Sequence, residues 1–541
     1  MKKKSIKIFL GFLFIAMVFA IWFSQNWYKI PKYIGDWKNP TGKNVTINWE
    51  KGPETRVSSK PNVIVILVDD LGFNQISAYG GGMSNGNFKT PNIDQLAKDG
   101  VLCTNGYSSS AICSPSRASL LTGKFPTRFG FEFTPTTSSF MKGIKAFGKK
   151  EIIEGVYHKE SESDMIEIKD MGLPQSELTI AEILKPQGYH NIHIGKWHLG
   201  HSEKFLPRKH GFDEYYGILY SNDMWPKHPQ QGAVFNFPDI KLYENETPLR
   251  VLEDQTFLTG ALTDRAIDFI KKNKENPFFV YLPHPQPHVP LFAIDSLKNT
   301  QKRGLYGDVI HEIDASVGRI LSTLEQEDLV ENTIVIFTSD NGPWLSYGGH
   351  SGSPGIFREG KGTNWEGGHR VPGIIRFPNK IAANMVIEAP AMGIDWLPTL
   401  AEFANTNLPT KKIDGASLVP LLTGLNQSSP HENFFFYYRT NELHAVRHKE
   451  WKLYVPHTYR TLNGREGTND GFPIPYEINE IKIAALFNLT TDPSEQNDVA
   501  EQHPLLVEKI TKIADSVRLV LGDRLTGIKG NEVRPVGRIL E

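Results

Sequence analysis

Hydrophobic positions along this chain come in dense blocks separated by amphipathic stretches. "NVIVILVDD" (62–70) is an uninterrupted β-branched run, the form of a parallel strand buried on both faces, and it closes on two carboxylates. "NTIVIFTSDNG" (332–342) repeats the arrangement and closes on Asp340 and Asn341. "NPFFVYLPHPQPHVP" (276–290) ends with His284 and His288, and "YHNIHIGKWHLG" (189–200) with Lys196 and His198. Between them "NIDQLAKDG", "LTIAEILKPQG", "ALTDRAIDFIKKN" and "VIHEIDASVGRILSTLEQ" show helical spacing of apolar residues. Strands alternating with helices predict an α/β domain built on a mainly parallel sheet flanked by helices. Ligands in such sheets bind beyond the carboxyl ends of the strands, so four runs are expected to deliver Asp, Asn, Lys and His to one cleft. Each residue alone has a plainer explanation: a strand-terminal Asp caps the next helix, and a lone His packs in a core.

The pattern changes after residue 424. "ENFFFYYRTNELHAVRHKEWKLYVP", "IAALFNLTTDPSEQNDV" and "HPLLVEKITKIADSVRLVLG" predict a small antiparallel sheet with a terminal helix packed on it. Residues 134–174 are charged and aperiodic, which predicts a surface insertion. At the start, a Lys-rich stretch precedes an apolar, uncharged run over 8–23, which reads as an export signal or an uncleaved membrane anchor, with Trp22 and Trp27 suited to a membrane interface. The expected organisation is an export signal or anchor over 1–30, a spacer over 31–60, a main domain over 61–424 and a C-terminal subdomain over 425–541. An exported, periplasmic, extracellular or lumenal location follows from that start.

Composition narrows the function. The 541 residues carry 59 basic and 60 acidic side chains, a net charge of −1 that leaves no electrostatic footprint for nucleic acid. Any anionic substrate must be met locally. Two cysteines cannot staple a chain of this length, and Cys103 in "GVLCTNGY" reads as a buried apolar thiol.

Asp69, Asp70, Asp340 and Asn341 are hard oxygen donors, which suit Ca²⁺ or Mg²⁺ better than zinc. Cys113 lies just ahead of "SPSRASLLTG", a helix start with Pro115 in its first turn, where unpaired N–H groups favour anionic chemistry. A thiolate nucleophile is the ordinary inference, but a thiolate beside several acidic metal ligands is a poor pairing.

"CSPSRASLLTG" resembles the type I, arylsulfatase A-like sulfatase signature C-x-P-x-R with its L-T-G tail, whose cysteine is oxidised to formylglycine by a maturation enzyme. The resemblance runs from about residue 62 to 498 through "VDDLG", "GKWHLG", "HGFDEYYG", "PQPHVP", "FTSDNGP" and "GKGTNWEGGHRVP". It implies an alkaline-phosphatase-like α/β fold and hydrolysis of a sulfate ester to alcohol and sulfate. Carried over by position, it implies that Asp69, Asp70, Asp340, Asn341 and the modified Cys113 bind a divalent cation, Ca²⁺ in preference to Mg²⁺. Arg117 and Lys196 would steady the nucleophilic oxygen and the sulfate, and His198 would take a proton from the hydrated aldehyde. His288, with Lys361 as the alternative, would protonate the leaving alcohol. The rival readings are a phosphate or phosphonate monoester hydrolase on the same scaffold and a catalytically silent exported binding protein.

The alcohol is not written in these motifs, and export suggests a sulfated saccharide. "YSNDMWP" (220–226), "YGGHSGSP" (347–354) and His369 follow the core motifs closely, making Asn222, Asp223, Trp225 and His350 candidate substrate contacts. With several carboxylates crowded at one site, loss of Asp69 is expected to relieve repulsion and leave the metal-free fold unharmed.

Overall fold

The computed structural model describes residues 60–81, 88–134, 171–228, 237–298 and 304–538, with Gly11 and 15–20 near the start. Most of the expected export segment, the spacer up to residue 59 and residues 135–170 of the expected insertion lie outside the described residues. Among the described residues no helix is long and apolar enough to cross a membrane.

Ten strands form one sheet in the order Met385–Ile387, Val101–Cys103, Gly373–Arg376, Thr333–Ser339, Asn62–Val68, Phe278–Pro283, His190–Lys196, Glu214–Ile218, Lys241–Glu244, Thr247–Val251. The five from Thr333–Ser339 to Glu214–Ile218 are mutually parallel. Towards both edges the pairing turns antiparallel, at Gly373–Arg376 on one side and Lys241–Glu244 on the other. The second edge is a hairpin with Asn245 at φ 54°, a conformation asparagine tolerates, and its outer strand is largely exposed.

The dense apolar runs are explained by two cores, one on each face. Ile64, Ile66 and Val68 join Val280, Leu282, Val335 and Phe337 in the first, against helices Pro91–Lys98, Leu258–Asn273 and Gly304–Gln326. Val63, Val65 and Leu67 join Phe279, Tyr281, Ile334 and Ile336 in the second, against helices Cys113–Thr122, Ile180–Leu184 and Trp396–Phe403. Every residue of strand Asn62–Val68 is buried, so a polar residue without a hydrogen-bond partner at any position from Val63 to Val68 would cost roughly 1–3 kcal/mol or more.

The C-terminal residues form a four-stranded antiparallel sheet, Asn433–Tyr438, Glu442–His448, Trp451–Tyr454 and Ala485–Asn488. Helix Pro504–Leu521 packs Ile510, Ala514, Val517 and Leu521 into one core with Phe434, Phe436, Leu443 and Ala445. Tyr107, Trp365 and Met392, which precede this sheet in the chain, belong to the same core and join their segments to it. Across that junction the buried Lys452 donates to Asn364 O at 2.8 Å and Glu366 Oε1 at 2.9 Å. The segment that follows Lys361 is thereby held from the C-terminal side.

Candidate active site

The carboxyl ends of the central parallel strands meet in one buried cluster. In a continuing strand Asp69 and Asp70 would point to opposite faces. Asp70 instead has φ 61°, a left-handed turn, and both carboxylates reach the same group of side chains. His198 repeats the device at φ 58°, two residues beyond Lys196. Such conformations cost of order 1–2 kcal/mol for a residue with a Cβ, and they concentrate at functional sites.

Three carboxylates and three cations are interleaved there. Lys196 Nζ lies 2.5 Å from Asp69 Oδ2 and donates to Ser221 Oγ at 3.0 Å. Arg117 Nη2 lies 3.2 Å from Asp69 Oδ2 and 2.6 Å from Asp340 Oδ2, and its Nη1 donates to Lys196 O at 3.1 Å. Lys361 Nζ donates to Asp70 Oδ2 at 2.8 Å and lies 3.2 Å from Cys113 Sγ. Asn341 Nδ2 donates to Asp70 Oδ1 at 2.7 Å, and the Asp70 amide donates to Asp340 Oδ1 at 3.1 Å. All of these side chains are buried.

Cys113 is the first residue of a helix buried along its whole length, and its Sγ is 3.8 Å from Asp70 Oδ1. Burial pushes the thiol pKa well up, and Asp69 and Asp70 add to this against Lys196 and Lys361. Burial would also raise Asp69, but Lys196 and Arg117 hold it well below the usual carboxylate range. Asp340 is pushed up to about 7 by burial and the Asp69 charge. His198 is driven well below the ordinary imidazole range by burial, Lys196 and Arg117, and neither ring nitrogen has a hydrogen-bond partner. His288 is lowered by burial and Lys361; its Nδ1 lies 2.7 Å from Val289 O and its Nε2 3.6 Å from Asp70 Oδ2.

The cluster could hold a metal ion. Asp69 Oδ1 and Asn341 Oδ1 are buried oxygens without a hydrogen-bond partner. Asp69, Asp70, Cys113 and His288 each offer a ligand atom within 4.8 Å of one another. Asp340 stands at the edge of this group, with Oδ2 turned to Arg117.

Other expected residues are placed differently. Trp225 is a core residue, 3% exposed, whose indole N–H donates to Leu252 O at 2.7 Å. His369 uses both ring nitrogens within the fold, on Ser108 O and Asn364 Oδ1. His284 turns away to Ser316 of helix Gly304–Gln326 at 3.3 Å. Asn222 donates to His288 O and Pro290 O. Asp223 has a buried Oδ1 without a hydrogen-bond partner, and His288 and Ser221 help hold its pKa down against burial. His350 lines a cleft of about 1060 Å³ with Leu345, Phe357, Arg358, Asn463 and Asn469. Cys103 is buried, its pKa pushed up to about 12 by burial.

Three residues at the cluster carried no signal that the motifs alone revealed. Ser221 lies beside Asn222 in "YSND" and meets Lys196. Trp344, directly after "DNGP", has its ring 4.6 Å from Lys361 Nζ and 5.5 Å from the His288 ring. Arg460 comes from strand His457–Thr461 and donates to Lys361 O.

A family model described as Sulfatase matches residues 61–406. The chain belongs to the sulfatase family. A second model, the C-terminal region of aryl-sulfatase, matches 429–525, and one described as N-sulphoglucosamine sulphohydrolase, C-terminal, matches 357–462. Steryl-sulfatase of Homo sapiens is 33% identical over 529 residues, covering 83% of this chain and 85% of its own. N-acetylgalactosamine-6-sulfatase of Homo sapiens is 33% identical over 476 residues, covering 85% of each. Among solved structures, Ps i-CgsB in complex with k-i-k-neocarrahexaose superposes with a TM-score of 0.64 at 27% identity, covering 85% of this chain and 92% of that one. This sulfatase has the mixed, largely parallel sheet of alkaline-phosphatase-like hydrolases, and its activity is hydrolysis of sulfate esters.

Proposed function

We propose that this sulfatase removes sulfate from a sulfated saccharide, with residues 61–424 holding the chemistry and 425–541 bracing them. The observation that carries the reading is the setting of Cys113, a buried thiol 3.2 Å from Lys361 Nζ and 3.8 Å from Asp70 Oδ1, with its pKa pushed up. As a thiol it is a poor nucleophile, because the thiolate is the reactive form. Its position suits a modified residue. Formylglycine made from Cys113 by a maturation enzyme would supply, once hydrated, one hydroxyl to attack sulfur and a second to release sulfate. A divalent cation, Ca²⁺ in preference to Mg²⁺, would supply Lewis-acid charge at that oxygen.

Asp69, Asp70, Asp340 and Asn341 would hold the cation, in keeping with the orphaned oxygens of Asp69 and Asn341. Arg117 ties Asp69 to Asp340 and, with Lys196 and Lys361, sets positive charge where sulfuryl oxygens gain electron density. His198, with both ring nitrogens unpartnered, is the residue to which we assign acceptance of the second hydroxyl's proton. The Nδ1 of His288 is engaged by Val289 O, so Nε2 is the atom that, when protonated, gives its proton to the departing alcohol. The saccharide reading is supported by the polar, glycine-rich cleft at His350, whose residues Leu345 and Glu359 lie next to Trp344 and two before Lys361 in sequence. The Lys-rich start and the apolar run over 8–23 support export, by signal or by anchor.

The test is sulfate release from defined sulfated saccharides by protein co-expressed with a maturation enzyme. Release from sugars supports the proposal; turnover confined to simple aryl sulfates, or faster turnover of aryl phosphates, overturns it.

A further inference from the structure

We infer that Asn222 is a positioning residue that fixes His288 for proton delivery to the leaving group. The inference rests on the acid role proposed for His288 and deepens it. Asn222 is fully buried, at 0% exposure, and its Nδ2 donates to both His288 O at 3.1 Å and Pro290 O at 3.3 Å. Its Oδ1 has no hydrogen-bond partner, so the side chain acts through its donor alone. Its own main-chain oxygen accepts from Gln255 Nε2 at 3.1 Å, which anchors the clasp to the protein behind it.

The neighbouring Ser221 accepts from Lys196 Nζ. One short segment after strand Glu214–Ile218 therefore holds both the Lys196 ammonium and the His288 main chain. The His288 ring is fixed at a second point through Nδ1 and Val289 O, which leaves Nε2 facing Asp70. A hydrogen bond at the main chain and one at the ring define the ring's position, and without the first the 288–290 segment loses its buried donor. As the S–O bond breaks, the bond's electron pair goes to the alcohol oxygen, which takes the Nε2 proton of protonated His288 and leaves a neutral imidazole.

A misplaced acid slows poor leaving groups most, whereas a general packing defect slows all esters alike. The test compares kcat/KM for phenyl sulfate, a poor leaving group, with 4-nitrophenyl sulfate, a good one, in wild type, Asn222→Asp, Gln255→Leu and His288→Ala, all matured. Asn222→Asp keeps the shape and loses the donor. Its loss on phenyl sulfate should exceed its loss on 4-nitrophenyl sulfate by at least about tenfold, a fraction of what general acid catalysis contributes. Gln255→Leu, a milder change further from the site, should show a smaller excess in the same direction, and it decides the matter if Asn222→Asp does not fold. Equal losses on both esters in these two variants, with His288→Ala discriminating, would overturn the positioning role alone. A His288→Ala variant that treats both esters alike would overturn the acid role and the inference with it.

Discussion

Asp69→Ala should cost the metal-free protein stability, contrary to what crowded carboxylates suggest. In the structure Asp69 is paired: Lys196 Nζ is 2.5 Å and Arg117 Nη2 3.2 Å from Oδ2, with Asp69 and Lys196 at 0% exposure and Arg117 at 1%. After truncation Arg117 still holds Asp340 at 2.6 Å, but Lys196 keeps only the hydroxyl of Ser221 at 3.0 Å. Removing one partner of a buried ion pair costs about 3–5 kcal/mol, because the other charge is left uncompensated. The destabilisation should therefore be about 3–5 kcal/mol at pH 7. Urea unfolding of the unmodified wild type and variant in chelator at pH 7 measures it. An unchanged or raised midpoint in the variant would refute the reasoning.

Cys113→Ser keeps a hydroxyl at the helix start, so with a good substrate it should release about one equivalent of alcohol and retain covalent sulfate on residue 113, read by intact mass; sustained turnover would show that one hydroxyl suffices. Active protein should carry a peptide mass at position 113 matching the aldehyde, and an active preparation holding only thiol would exclude the modification. Chelation should abolish turnover, with Ca²⁺ restoring more than Mg²⁺ in the same assay. Glu312, buried with Oε2 accepting from the Ile294 amide at 3.1 Å, has its pKa pushed up to about 7 from 4.5 by burial. Its folded pKa is the higher one, so stability is unaffected below about pH 4.5 and falls as pH rises through 7, by about 3 kcal/mol in all. Glu312→Gln keeps the acceptor and should raise the denaturation midpoint at pH 8 while leaving it nearly unchanged at pH 4; equal shifts at both would sink this account.

Residues 63–68, 278–282 and 334–337 are apolar on both faces, and that alone announces a sheet buried between two layers. The polar residues that end these runs announce a site, because strands packed in parallel present their ends together. The spacing of Cys113 and Arg117, one helical turn apart, was legible for the same local reason. The direction of each side chain was not. Asp69 and Asp70 share a cavity only because Asp70 adopts φ 61°, beside a neighbour whose register, Val68 against Ser339, brings Asp340 opposite. His284 and His288 leave the same run, yet one turns to a helix and the other to Asp70. Trp225 and His369, adjacent to functional motifs, are claimed by the core through Leu252 O, Ser108 O and Asn364. Arg460 arrives from a strand that no local pattern links to Lys361. Periodicity records how deeply a residue is buried, a property of its own segment. Which partner it meets there depends on strand register and turn conformation fixed by segments hundreds of residues away, and only the folded chain brings those together.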